Sequence, residues 1–267
     1  MKRSVLFVWL SLWLAVLLAG CAHAPGEASG QPAEPVTESD EPEIRKRARI
    51  RTELAANYFE QGQSTVALDE IKQALNADPS YPAAYNLRGL VYLQMNESAL
   101  AESSFRRALQ LNPRDADAMH NLGWLWCQQA RYTDALDQFA RALAVPGYGN
   151  APRTLMAQGV CQLRAGRPAD AEHSLTRAFE LDAGNPIILF NLSSLLYQRG
   201  DYQRAQFYIR RLNASADMAN AESFWLAMRI ERRLGNLDGV RLLATQLRQR
   251  FPDSAEWGKY QRGAFDE

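Results

Sequence analysis

The chain is poor in the residue types that chemistry most often needs. Its 267 residues include three histidines, three cysteines and four lysines. His23, His120 and His173 are scattered, and no two share the spacing of a metal-ligand cluster. No glycine-rich phosphate loop and no nucleophile elbow occurs. The residues therefore point to no enzyme, no metal, no small-molecule substrate and no cofactor beyond a lipid discussed below. An excess of either charge is also missing. Thirty basic and thirty acidic side chains balance to zero, which argues against a general nucleic-acid binder. The longest apolar run, Val5 to Leu17 broken only by Ser11, is about 13 residues, against the ~20 that a membrane-spanning helix requires. What is present is 47% apolar residues, enough to build a core, so a fully disordered chain is excluded.

The short apolar run follows Lys2 and Arg3 and reads as the h-region of a signal peptide. It ends in Leu18, Ala19, Gly20 and Cys21. This resembles a bacterial lipobox, in which small residues fit a peptidase groove and the thiol accepts diacylglycerol. The expectation is that residues 1–20 are removed and that Cys21 carries a covalent lipid holding the protein on a membrane. Ala22 stands where an Asp would signal inner-membrane retention, so the outer membrane is expected, with the body in the periplasm. Residues 21–43 form the next part. They contain four prolines, six acids, no Lys or Arg and no aromatic residue, and read as a flexible tether. Its reach is ~25 Å, from ~5–6 Å times the square root of its length. The basic run Arg45 to Arg51 reads as a solvated helix face in preference to a lipid-binding patch.

From residue 44 the sequence repeats every 34 residues. Tyr58, Tyr92 and Trp126 keep that step, as do Ala67, Ala101 and Ala135, and Ala74, Ala108 and Ala142. Gly89 and Gly123, Phe105 and Phe139, and Pro79 and Pro113 follow it too. This is the tetratricopeptide (TPR) pattern: small residues where two helices touch, an aromatic toward the neighbouring repeat, and a proline that ends the second helix. Repeats begin near Ala48, Pro82, Ala116, Pro152, Pro186 and Ala221. Gly62, Asn96, Gly166, Gly200 and Gly235 share one register position, the turn between helices A and B, where a left-handed cap is expected. Ala130 is the exception and should make the stiffest turn. A two-residue insertion within Val145 to Asn150 is expected to bend the superhelix. The fold class is thus an all-α TPR superhelical solenoid over 44–253, six repeats and about twelve helices, with a short capping helix and tail over 254–267.

Such solenoids bind partners on the concave side, lined by helix A. Positions 5, 9 and 12 of this register place Phe59, Leu90, Leu93, Trp124, Met156, Leu163, Phe190, Tyr197 and Trp225 there. A surface this apolar suits an amphipathic helix or an apolar strand from a partner. The opposing reading is that these residues pack against neighbouring A helices. The grip used by carboxylate-clamp TPR domains is disfavoured, because Thr52, Ala56 and Leu87 occupy its polar positions. Cys127 and Cys161 lie on A helices of adjacent repeats at different register positions. Two buried free thiols are expected there rather than a disulfide.

Several segments resemble the type IV pilus biogenesis and stability lipoproteins, the PilF/PilW family. These are Asn121-Leu122-Gly123-Trp124-Leu125-Trp126-Cys127, the insertion after repeat 3, and Gly159-Val160-Cys161-Gln162-Leu163-Arg164-Ala165-Gly166. Phe224 to Arg232 in the last repeat and Phe251-Pro252-Asp253-Ser254 are similar as well. Gly147-Tyr148-Gly149 departs from the family's usual loop. The resemblance implies a pilotin, a lipoprotein that brings secretin subunits to the outer membrane and supports their assembly, or a factor that stabilises the pilus fibre. An adaptor for peptidoglycan hydrolases or for β-barrel assembly is the alternative with the same architecture. The zero net charge resolves into parts: +2 in the leader, −6 in the tether, and a body of 28 basic and 24 acidic residues.

Overall fold

The computed structural model describes residues 41–265. The leader, the lipobox residues Leu18, Ala19, Gly20 and Cys21, and most of the acidic tether lie outside them. Among the described residues there are thirteen helices and no strand. Helix α1 spans Glu43–Glu60, α2 Ser64–Ala77, α3 Pro82–Gln94, α4 Ser98–Leu111, α5 Ala116–Gln128 and α6 Tyr132–Leu143. They continue as α7 Ala151–Arg164, α8 Pro168–Leu181, α9 Pro186–Gln198, α10 Tyr202–Asn213, α11 Ala221–Arg233, α12 Leu237–Arg250 and α13 Ala255–Gln261. The odd-numbered helices to α11 are the A helices and the even-numbered ones the B helices of six repeats. Helix α13 packs on both α11 and α12, where the A helix of a seventh repeat would stand.

The chain marks these boundaries chemically. Pro82, Pro152, Pro168 and Pro186 occupy the first turn of their helices, where a missing N–H costs nothing. Asp115, Asn185, Asp201, Asn220, Asn236 and Ser254 cap helix N-termini with their side chains. All six A–B turns take a positive φ at the same position, from 60° at Ala130 to 80° at Gly200. Each turn closes with the same two bonds: at the first, the Gly62 N–H donates to Phe59 O and the Gln63 N–H to Tyr58 O. Ala130 adopts the conformation that glycine takes elsewhere, despite its Cβ.

Within a repeat, helix B is seated against one position of helix A. That position is Ala55, Gly89, Gly123, Gly159, Ser193 and Met228 in turn, and the facing B position is Ile71, Phe105, Phe139, Leu175, Ile209 and Ala244. A Cβ at Gly89 would stand 2.4 Å from the Phe105 ring, and one at Gly159 2.7 Å from Leu175. The absent side chain is what admits the large one. Ser193 uses the same space differently, donating its hydroxyl to Ala205 O at 2.9 Å. In repeat 6 the sizes are exchanged, Met228 on helix A and Ala244 on helix B. Phe105, Phe139, Leu175 and Ile71 are fully buried, each stabilising the fold by roughly 1.5–3 kcal/mol.

Successive A helices touch each other at α1–α3, α3–α5, α5–α7 and α9–α11, and so form one row. Cys127 and Cys161 lie on two members of this row and are joined in a disulfide, with Cα atoms 5.8 Å apart. This corrects the expectation of two free thiols. Contact between A helices does not require equal register, because neighbouring A helices are staggered by about two positions. The same stagger brings His120 Nδ1 to 2.9 Å from Thr154 Oγ1, also 34 residues apart. Thiol alkylation of the denatured, unreduced protein should leave Cys127 and Cys161 unmodified by mass. Converting both to Ser should lower unfolding stability by about 3–4 kcal/mol, given the 34-residue separation. Alkylation of both cysteines before reduction would refute the pairing.

Candidate functional site

Because the A row carries residues at the same register positions on every helix, its outward face is one continuous surface. Phe59 lies on α1, Leu90 and Leu93 on α3, Trp124 on α5, Met156 and Leu163 on α7, and Phe190 and Tyr197 on α9. All eight are half-buried. Phe59 borders the apolar cluster of the first repeat pair, around Ala55 and Ile71. Leu90, Leu93 and Trp124 border a second cluster, around Phe105, Leu125 and Phe139. Met156, Leu163, Phe190 and Tyr197 border the third, which fills repeats 4 to 6. These residues thus do both things weighed for them: one flank packs inward and the other remains accessible.

Trp225, placed by the sequence on the same surface, behaves differently. It is 5% exposed. The chain after α13 turns back, so that Phe265 stacks on Trp225 with ring centroids 4.9 Å apart. The Arg232 guanidinium stands 4.5 Å from the Phe265 ring, and Tyr260 meets it edge-on at 6.1 Å. The free surface therefore ends before repeat 6, a correction to the expectation that Trp225 lines an open groove.

A recess on the row lies between α5, α7 and α9, a pocket of about 320 Å³. It brings together two expected groove residues, Trp124 and Met156, with Val160 and Ala157. Arg153 and Ile187 form its rim and His120 part of its wall. Ile187 is 56% exposed, an unusual fraction for a large aliphatic side chain. The recess falls where the row is loosest, since α7 and α9 make less contact than the other A–A neighbours. Arg153 and Ile187 both occupy the second register position of their A helices, counted from Pro152 and Pro186.

The insertion after repeat 3 buttresses this pocket. The Tyr148 hydroxyl donates to Asp117 Oδ1 at 3.3 Å and shares a 2.9 Å bond with Thr154 Oγ1. Asn150 Nδ2 donates to the same Asp117 oxygen at 3.0 Å. Thr154 is in turn bonded to His120, so the loop, α5 and α7 are tied through one polar chain. Spacing alone carried no sign of this network, because it is built by loop residues outside the repeat. His120 is 4% exposed, and its ring lies 5.8 Å from that of Phe139. Burial and then the nearby Arg153 charge push its pKa down to about 4, partly opposed by Asp117. It is therefore a neutral wall of the pocket.

No group of three or more His, Cys, Asp or Glu among the described residues could hold a metal ion. His173 is exposed on α8, and His23 lies outside the described residues. No described helix is long and apolar enough to cross a membrane. The basic run of α1 is engaged in ion pairs: Arg45 with Asp78 and Arg51 with Glu70, both at 2.8 Å, and Arg49 with Glu53 at 3.1 Å.

Comparison with known proteins places this geometry. Tetratricopeptide-repeat family models match residues 87–152 and 162–225, and a TPR-repeat model matches residues 57–96. The type IV pilus assembly protein PilF of Pseudomonas aeruginosa is 27% identical over 248 residues, which cover 93% of this chain and 95% of that protein. The solved structure of Pseudomonas aeruginosa PilF superposes with a TM-score of 0.74 at 24% identity, covering 82% of this chain and 99% of the other. The crystal structure of PilW, a widely conserved type IV pilus biogenesis factor, also has a TM-score of 0.74, at 26% identity, covering 80% and 98%.

The buried neutral imidazole makes stability depend on pH. In the unfolded chain His120 takes up its proton near pH 6.5, and in the fold only near pH 4. The stabilisation is complete above pH 6.5 and is lost as the pH falls toward 4, by up to about 3 kcal/mol. Denaturant titrations across that window should show a shallower loss for His120→Gln than for the wild type. Parallel pH dependences for the two would refute the assignment.

Proposed function

Since the chain is a tetratricopeptide-repeat protein homologous to PilF, we propose that it serves type IV pilus biogenesis as a lipid-anchored outer-membrane adaptor that binds secretin subunits. The observation that carries this reading is the accessible apolar face of the A row in repeats 1 to 3. Phe59, Leu90, Leu93 and Trp124 are half-buried on three successive helices and cover no neighbouring repeat completely. A single row of such residues suits an apolar segment of an unassembled subunit. The role is that of a scaffold rather than a catalyst.

The anchor and tether explain how a modest groove would suffice. A lipid on Cys21 confines the solenoid to the membrane surface, and the acidic tether gives it a search volume. Confinement raises the effective concentration of groove and secretin for each other. The Cys127–Cys161 disulfide supports the periplasmic placement, since such bonds persist in oxidising compartments.

Two measurements test this reading. Replacing Leu90 and Leu93 together by Asp should abolish heat-stable secretin multimers while helical content stays at the wild-type level. Normal multimers with a folded double variant would count against the groove. Replacing Cys21 by Ser should abolish acyl labelling and release the protein into the soluble periplasmic fraction. Retention in the outer membrane by the variant would contradict the anchor.

A further inference from the structure

In repeat 6 the A row is covered by the chain itself. Its lining positions 5 and 12 hold Trp225 and Arg232. These lie about two helical turns apart on α11 and so share one face. Phe265 is seated on that face. Its ring stacks on Trp225 with centroids 4.9 Å apart, and the Arg232 guanidinium stands 4.5 Å from its centroid. Tyr260 adds a ring edge at 6.1 Å. One aromatic side chain is thus held by a tryptophan face, a cation and a ring edge, each a favourable partner for a ring quadrupole. Trp225 is buried as a result, whereas Met156 and Phe190, its counterparts at position 5, are half-buried.

The segment that delivers Phe265 is lightly built in. Each repeat is seated on side chains deep in the core, such as Phe105 and Leu175. Helix α13 has seven residues and none of them is buried. The chain leaves it through Gly263, at a φ of 69°. The Ala264 N–H then donates to Lys259 O and the Phe265 N–H to Gly263 O. Both bonds are internal to the segment, so its attachment to α11 falls to the Phe265 ring. A segment with few buried contacts opens at a low cost in free energy.

We propose that residues 262–265 are an intramolecular occupant of the partner-binding face, and that an aromatic side chain of a partner segment displaces Phe265 from Trp225 and Arg232. While Phe265 is seated, the cradle is closed. Its release extends the accessible A row from Phe190 and Tyr197 into repeat 6. The cradle selects an aromatic residue because both the Trp225 face and the Arg232 cation engage a ring, whereas an aliphatic side chain would gain only the contact with Trp225. The inference rests on the reading of the A row as a partner-binding face. It adds an autoinhibitory contact at the far end of that face from Leu90 and Leu93.

The test pans a displayed library of random peptides against the full chain carrying Phe265→Ala, with the wild-type chain in solution as competitor. Peptides that need the vacated cradle survive this competition, and they should carry Phe, Tyr or Trp. They should bind the wild type at least about tenfold more weakly, the factor expected when the segment is released in about one molecule in ten or fewer. Adding Arg232→Ala to the Phe265→Ala chain should weaken their binding. Arg232 is exposed, and circular dichroism checks that the fold is kept. In the wild type, saturating peptide should speed hydrogen exchange at the Ala264 and Phe265 amides. No surviving peptide, survivors without an aromatic residue, or binding indifferent to Arg232→Ala would overturn the cradle. Unchanged exchange in the wild type would overturn the displacement. Any of these would leave the secretin reading standing, since that is read on Leu90 and Leu93. Normal secretin multimers in the Leu90, Leu93 variant would conversely leave the peptide selection measurable.

Discussion

The solenoid depends on one contact made six times, the seating of helix B in a notch on helix A. Where the notch is glycine, as at Gly89, Gly123 and Gly159, a phenylalanine or leucine fills it. Where it is not, something else makes room: a smaller ring-free partner for Ala55, a hydroxyl turned to the backbone at Ser193, an alanine opposite Met228. The contact sets the distance and tilt between the two helices of each repeat. It thereby sets which face of helix A is left for its neighbours in the next repeat. A substitution of Gly89 by any side chain would collide with Phe105 and reach the groove through Leu90, the adjoining residue.

The second constraint is the stagger of the A row. Helices of adjacent repeats do not meet position for position, so residues two register positions apart become neighbours. That one offset pairs His120 with Thr154 and Cys127 with Cys161. Between α5 and α7 the row is therefore cross-linked, and the adjacent insertion ties it further through Asp117. Beyond α7 the row loosens and the pocket opens. Rigid and open segments alternate along the same face, a disulfide on one side of the recess and an exposed Ile187 on the other.

Most of the architecture was legible in residue spacing. A 34-residue step, a proline that ends the second helix and a glycine or asparagine in the turns predict about twelve paired helices and a final cap, and these are present. Even Ala130 keeps the left-handed turn, because the two closing backbone bonds are worth more than the strain of one Cβ. Spacing was a poorer guide where contacts cross repeats. The disulfide was missed because linear register ignores stagger. Trp225 was placed on an open surface because nothing in the repeat pattern describes the path of the chain after α13, which brings Phe265 onto it. Arg153 and Ile187 share one register position of helix A, so the repeat spacing relates them to each other. The Asp117–Tyr148–Asn150 network was beyond such spacing, because a loop that interrupts a repeat has no register.

The charge balance also gains a structure. The zero sum conceals an acidic stretch over residues 21–43 and a mildly basic body of 28 basic and 24 acidic residues. The A row carries the accessible apolar residues on which the proposed binding role rests. The direct test is a photo-crosslinking residue introduced in living cells, in one strain at Leu93 on α3 and in another at Leu100 on α4 of the same repeat. The account predicts a secretin adduct from Leu93 and none from Leu100, which is 47% exposed on the outer helix. An adduct from Leu100 with none from Leu93 would contradict it.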